Sequence, residues 1–348
     1  MASKIEWTAE TWNPIIGCSK ASAGCANCSA ENMANRQAHM RPDPKKNRYL
    51  DVIKIEPAEG EKDKAAGWNG KTAFVESQLD KPLHWRKPRK ISVCSMGDLF
   101  HESVPFEWID KIFATMALCP DHTFQILTKR PERTSEYLNE RRADHSAAHI
   151  RVFQIMNTPD RRGGRAGQCS RRLHHFPSEV NIPWPLQNVW LGTSVENQAA
   201  ADERIPSLLK CPAALRFVSV EPMLGPVDLR RYIQLWDDNG SREFYEKEGW
   251  GYDDYSGGFI GLPDQTYDPQ AGLGWIICGG ESGRKARRLE PQWVRSLRDQ
   301  AASAGVPFMF KQWGEFSSRE MVPHRVGKKA SGRELDGVEH LAFPEVTS

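Results

Sequence analysis

Phe124-Gln125-Ile126-Leu127-Thr128-Lys129-Arg130 is a short, mostly apolar run that ends abruptly in two cations. Such a run suits a strand buried on both faces of a parallel sheet, which leaves the cations at the strand's carboxyl end. The same rhythm returns at Ile91-Ser92-Val93-Cys94-Ser95, Val189-Trp190-Leu191-Gly192-Thr193 and Arg216-Phe217-Val218-Ser219-Val220. Trp275-Ile276-Ile277-Cys278 and Pro307-Phe308-Met309-Phe310 complete the set. Amphipathic stretches between them, such as Glu107 to Leu118 and Pro291 to Ala304, suit crossover helices. A first strand is expected to end near Ile15-Ile16, just before a cysteine-rich loop. The pattern reads as an α/β fold, a partial or full (β/α) barrel with polar groups gathered at the carboxyl ends of its strands. A doubly wound open sheet is the alternative, and periodicity does not separate the two.

Two segments interrupt the rhythm. Residues 141–172 hold eight arginines against two acids, and residues 237–268 hold nine acids against two basic residues, with several aromatics. They read as a basic insertion, 141–187, and an acidic-aromatic insertion, 236–270. Both elaborate one domain spanning 1–314, with 315–348 as a C-terminal extension. Their charges offset, and the whole chain carries only +2, so nucleic-acid binding would need a local patch rather than a global field. The longest apolar run, Ile112 to Cys119 with Thr115 inside it, is far too short to span a membrane. The N-terminus has no apolar signal segment, so a cytoplasmic location is expected, with the eight cysteines reduced.

Cys18, Cys25 and Cys28 form the strongest local signal, with spacing C-x₆-C-x₂-C and Gly24 beside the second. The x₂ spacing lets two thiolates face one metal centre, and a short glycine-containing loop brings in the third. A structural zinc wants four ligands, so this loop would need Cys94, His39 or His101 as the fourth. Three cysteines packed without metal are a further reading. Three thiolates on a cubane cluster leave one iron open, and the count of three therefore favours iron–sulfur.

The opening blocks Glu6-Trp7-Thr8, Thr11-Trp12-Asn13-Pro14, Gly17-Cys18 and Gly24-Cys25-Ala26-Asn27-Cys28 resemble those of the phage and prophage three-cysteine-motif proteins, relatives of radical S-adenosylmethionine (SAM) enzymes. The resemblance continues through Ser95-Met96-Gly97-Asp98-Leu99-Phe100, Leu127-Thr128-Lys129-Arg130-Pro131 and Leu191 to Asn197. It resumes at Ser219-Val220-Glu221-Pro222, Gly279-Gly280-Glu281-Ser282-Gly283 and Lys311-Gln312-Trp313-Gly314. Two departures stand out: the x₆ spacing replaces the x₃ of radical SAM enzymes at large, and Ser29 stands where an aromatic residue is usual.

The resemblance implies a barrel of radical SAM type and a 4Fe-4S cluster on Cys18, Cys25 and Cys28, with SAM as co-substrate. It implies a SAM site built from Met96, Gly97, Asp98, Lys129, Ser194 and Glu196, with Asp98 at the methionyl amine. Arg130, Glu221, Glu281 and Lys311 would line the substrate pocket. A flavodoxin- or ferredoxin-type reductant would be needed, and the setting would be the cytoplasm of a phage host. The implied substrate is DNA or a modified nucleotide. One candidate reaction is the isomerisation of Nα-glycinyl-thymidine to Cα-glycinyl-thymidine in thymidine hypermodification; another is lysis of a DNA photoproduct. A zinc-stabilised nucleic-acid-binding protein without catalysis is the alternative from a different class.

Overall fold

A computed structural model describes residues 6–40, 47–56, 64–143, 184–233, 251–253, 258–260, 272–317 and 324–345. Most of the basic insertion, and all of the acidic one except the paired segments Gly251–Asp253 and Gly258–Ile260, therefore lie outside the described residues.

Seven strands form the main sheet: β1 (Glu10–Trp12), β2 (Lys90–Val93), β3 (Thr123–Thr128), β4 (Val189–Ser194), β5 (Leu215–Val220), β6 (Trp275–Cys278) and β7 (Phe308–Phe310). Their spatial order is their chain order. The pairs β1–β2, β2–β3, β5–β6 and β6–β7 are parallel. A doubly wound sheet would reverse its strand order at a switch point, and this one does not. The fold is α/β and compatible with a partial (β/α) barrel. Among the described residues the longer helices are α1 (Ser29–Met40), α2 (Phe106–Ala117), α3 (Pro131–Ala143), α4 (Gln198–Leu209) and α5 (Pro291–Ser303). Among the described residues no helix is long and apolar enough to cross a membrane.

Local chemistry explains these elements. All six residues of β4 are buried, as a strand covered on both faces requires. In α2 the buried Ile109, Ile112, Phe113 and Met116 recur at helical spacing and form one apolar stripe. In α5 the stripe is Val294, Leu297 and Ala301.

The first strand differs from expectation. Ile15–Ile16 pairs antiparallel with Ala73–Phe74, while Glu10–Trp12 joins the main sheet. Pro14 explains the break, because it has no N–H to continue the ladder. The side-chain oxygen of Asn13 instead accepts from the Met96 amide at 3.0 Å and the Ser95 hydroxyl at 3.1 Å.

The chain divides into two compact units, Met1–Leu191 and Gly192–Ser348, with the division inside β4. In the first unit Trp12, Phe100, Phe124 and Tyr137 are fully buried. In the second, Phe217, Trp275 and Phe310 are. The segment expected as a C-terminal extension packs against this second core. The Phe310 amide donates to the His340 carbonyl at 2.8 Å and the Ala342 amide to the Phe308 carbonyl at 3.2 Å, so residues 340–342 cover the edge of β7 in antiparallel sense. The Trp275 indole donates to the Ala342 carbonyl at 2.9 Å, and Leu335 is fully buried. An open edge would offer its unpaired amides to other chains, and this segment blunts it.

Candidate metal centre

The cysteine loop is anchored at a point where two glycines meet. Gly17, at φ +92°, donates its amide to the Met96 carbonyl at 3.0 Å, and Gly17 and Gly97 form a parallel bridge. A Cβ on Gly17 would lie 2.3 Å from the Lys71 carbonyl oxygen, and one on Gly97 would lie 2.8 Å from that of Gly17. Only bare backbone fits there, and it brings the residue before Cys18 against the residue before Asp98. A short helical turn, Ala23–Cys25, follows, and Cys28 immediately precedes α1. In the first turn of α1 Glu31 is buried, accepts from the Trp68 amide at 3.0 Å and pairs with Lys20 at 3.4 Å. Cys18 packs against an apolar cluster that includes Ile16, Val52, Trp68 and Met96.

The three sulfurs are half-buried. Burial pushes the Cys18 thiol up to about 12; Asp98 adds to the shift, Arg130 opposes it, and Cys28 and Cys25 raise it further. The Cys28 thiol is also raised by burial, while the amides of Glu31 and Ala30 at the start of α1 pull it down. Without a metal these two thiols keep their protons at neutral pH.

Among the described residues no three His, Cys, Asp or Glu side chains converge as a ready-made set of metal ligands. The donors present nonetheless fit a three-thiolate cluster in number and chemistry, and Cys28 has helix-terminal amides to support a thiolate. The candidate fourth ligands for zinc differ in their surroundings. The two ring nitrogens of His101 bond Ser19 at 2.8 Å and Ser103 at 2.9 Å. His39 Nδ1 bonds its own helix at the Asn35 carbonyl at 2.7 Å. Cys94 is buried, and its thiol is pushed up to about 12 by that burial, with Asp98 adding.

Asp98 and Arg130 stand beside this loop. The Asp98 carboxylate accepts four hydrogen bonds: from the Phe100 amide at 3.0 Å, the Thr128 hydroxyl at 2.7 Å, the Lys129 amide at 3.1 Å and Arg130 Nη1 at 3.1 Å. The residue expected at the methionyl amine thus has its four lone-pair directions taken within the protein, and it clamps the end of β3 to the turn after β2. Arg130, expected in the substrate pocket, lies against the cysteine loop, with Nη1 3.9 Å from Cys18 Sγ. The amide of Lys129 is held by Asp98, while Met96 lies in the apolar cluster.

Ser19, His101 and Glu102 complete the surroundings, and the sequence reading did not join them to Arg130. Arg130 Nε donates to Glu102 at 2.9 Å and Nη2 to the Ser19 hydroxyl at 2.8 Å. The Ser103 amide donates to His101 Nδ1 at 3.1 Å, so His101 carries its proton on Nε2 and donates it to Ser19. The one available signal was the polar pair His101-Glu102 directly after the apolar Leu99-Phe100.

The remaining predicted residues fall in the second unit at strand ends, and the structure places each with a partner. Glu196 pairs with Arg204 at 3.1 Å, both almost fully buried. The Ser194 hydroxyl donates to the Glu221 carbonyl at 3.3 Å. The Glu221 carboxylate accepts from Lys311 Nζ at 2.8 and 3.0 Å. Glu281 accepts from the Arg287 amide and guanidinium at 2.8, 2.9 and 2.6 Å. Gly280 allows a close approach to the 311–314 turn, since a Cβ there would lie 2.1 Å from the Trp313 carbonyl oxygen.

Comparison with curated proteins and with solved structures finds no match. One family model matches residues 2–344, nearly the whole chain. The chain therefore belongs to the family described as protein of unknown function (DUF5131).

Proposed function

We propose that this protein is a radical SAM enzyme that holds a 4Fe-4S cluster through Cys18, Cys25 and Cys28. The observation that carries the reading is the count and setting of the thiols. Three half-buried cysteines sit in one loop beside the turn that follows a parallel strand, and both ring nitrogens of His101 are hydrogen-bonded within the protein. Once bound there, such a cluster would supply the electron for reductive cleavage of SAM to methionine and a 5′-deoxyadenosyl radical able to abstract hydrogen from carbon.

The chain's own part is to hold and shield. Gly17 and Gly97 fix the loop against the sheet end, Glu31 ties α1 to Trp68, and the apolar cluster around Met96 covers one side. The family resemblance alone carries the substrate class, a nucleobase in DNA, with Nα- to Cα-glycinyl-thymidine isomerisation as the candidate reaction. A flavodoxin- or ferredoxin-type protein would serve as reductant.

Anaerobic reconstitution of the full chain with iron and sulfide tests the reading. A brown protein that forms 5′-deoxyadenosine from SAM under reducing conditions supports it. A colourless protein holding one zinc and inert to SAM would replace it with the zinc-stabilised, non-catalytic alternative. Mass spectrometry of nucleosides from DNA made with and without the gene tests the substrate; identical profiles remove the nucleobase assignment.

A further inference from the structure

Arg130 is held more firmly than a surface cation needs to be. Its fork is fixed from three sides: Nε by Glu102 at 2.9 Å, Nη1 by Asp98 at 3.1 Å and Nη2 by the Ser19 hydroxyl at 2.8 Å. Ser19 is in turn oriented by the buried His101, and the Arg130 side chain is only 14% exposed. From this fixed position Nη1 also reaches the Cys18 sulfur, at 3.9 Å.

We infer that Arg130 is a positioning residue for Cys18: its guanidinium fixes the sulfur's place and raises the reduction potential of the cluster that Cys18 would hold. The inference rests on the proposed cluster. One-electron reduction adds negative charge to the cluster and its sulfurs. A fixed cation and an N–H directed at one of those sulfurs favour the reduced state, and partial burial weakens solvent screening of that effect. The neighbouring carboxylates act in the opposite sense. Asp98 faces the same sulfur, and Arg130 offsets its field there. Glu102 is exposed and shares the guanidinium, so it moderates the cation without shaping the core. Lysine would keep the charge but lose the planar fork that three anchors hold at once.

The test uses the full chain, reconstituted anaerobically, and its variants Arg130→Gln, Arg130→Lys and Glu102→Gln. Iron and sulfide per chain, the midpoint potential in a dye-mediated dithionite titration, and apoprotein thermal unfolding are measured. The expected result is a potential more negative than wild type in Arg130→Gln and a smaller shift of the same sign in Arg130→Lys. Glu102→Gln should shift the other way, because its removal leaves the guanidinium less neutralised. A purely structural role predicts no such opposite signs. Wild-type potentials in all three variants, with full iron content, would overturn the inference. If Arg130→Gln fails to fold or load, the other two variants decide, and unchanged potentials in both overturn it. A wild-type chain that takes up no iron and sulfide instead refutes the proposed function, and the inference falls with it.

Discussion

The cysteines divide by burial. Cys94, Cys119, Cys211 and Cys278 are all buried, whereas Cys18, Cys25 and Cys28 are half-exposed. In the proposed cluster, alanine at any of the three loop positions would leave two thiolates for four irons, so iron and sulfide content after reconstitution is expected to fall to near background. Alanine at the four buried positions should leave iron uptake intact and cost about 1 kcal/mol of stability each, as small buried hydrophobes do. Equal dependence on a fourth cysteine would mean a closed centre with no iron left for SAM. His122 gives a pH signature at the same scale. It is buried, its Nε2 donates to the Pro82 carbonyl at 3.3 Å, and its buried Nδ1 has no hydrogen-bond partner among the described residues. Burial, with Arg89 adding, holds its pKa below the ordinary 6.5. The unfolded chain then binds more protons than the folded one below that value. This contribution to stability is complete above pH 6.5 and is lost as pH falls toward the folded pKa. Thermal unfolding from about pH 7.5 to about pH 5.5 should show a smaller decline in His122→Gln than in wild type. An unchanged slope would remove His122 from that role.

Helix ends show how much an element owes to one side chain. The Asn197 side chain accepts from the Ala200 amide at 3.0 Å and so satisfies an orphan donor at the start of α4. Asn197→Ala is expected to cost about 1 kcal/mol in urea unfolding, and Asn197→Asp should recover most of it. The strands of the main sheet were largely legible because full burial leaves a continuous apolar signature, as in β4 and β6. The first strand was not. Ile15–Ile16 is as apolar as any strand run, yet Pro14 ends the ladder before it and it pairs with Ala73–Phe74, which apolar patterning does not reveal.

At the scale of the whole molecule, the C-terminal segment belongs to the second unit's core. Trp313 donates its indole N–H to the Glu334 carbonyl at 2.9 Å, and residues 340–342 pair with β7. A chain ending at Ser317 should lose at least about 2 kcal/mol from the burial of Leu335 alone, and it should expose an unpaired strand edge. Urea unfolding and size-exclusion chromatography read both effects. A truncated chain with the wild-type urea midpoint and elution volume would show that the segment is dispensable. Composition gave no hint of this role, since residues 315–348 are mostly polar, the described ones among them are mostly exposed, and their contribution lies largely in backbone pairing.

The sequence by itself determined the α/β class, most of the strands, the three-cysteine loop and the placing of polar residues at strand ends. These depend on local apolar patterning and on short spacings that any fold of the class must respect. Only the tertiary structure decided the strand order, because order depends on which strands neighbour one another and not on the pattern within each. It alone decided what the polar residues do. Asp98 has its acceptors filled by residues near it and by residues some thirty positions away, and Arg130 meets a sulfur 112 positions earlier in the chain. A carboxylate looks the same in a sequence whether its lone pairs face a ligand or the protein's own amides, since only folding brings the competing donors within hydrogen-bond reach.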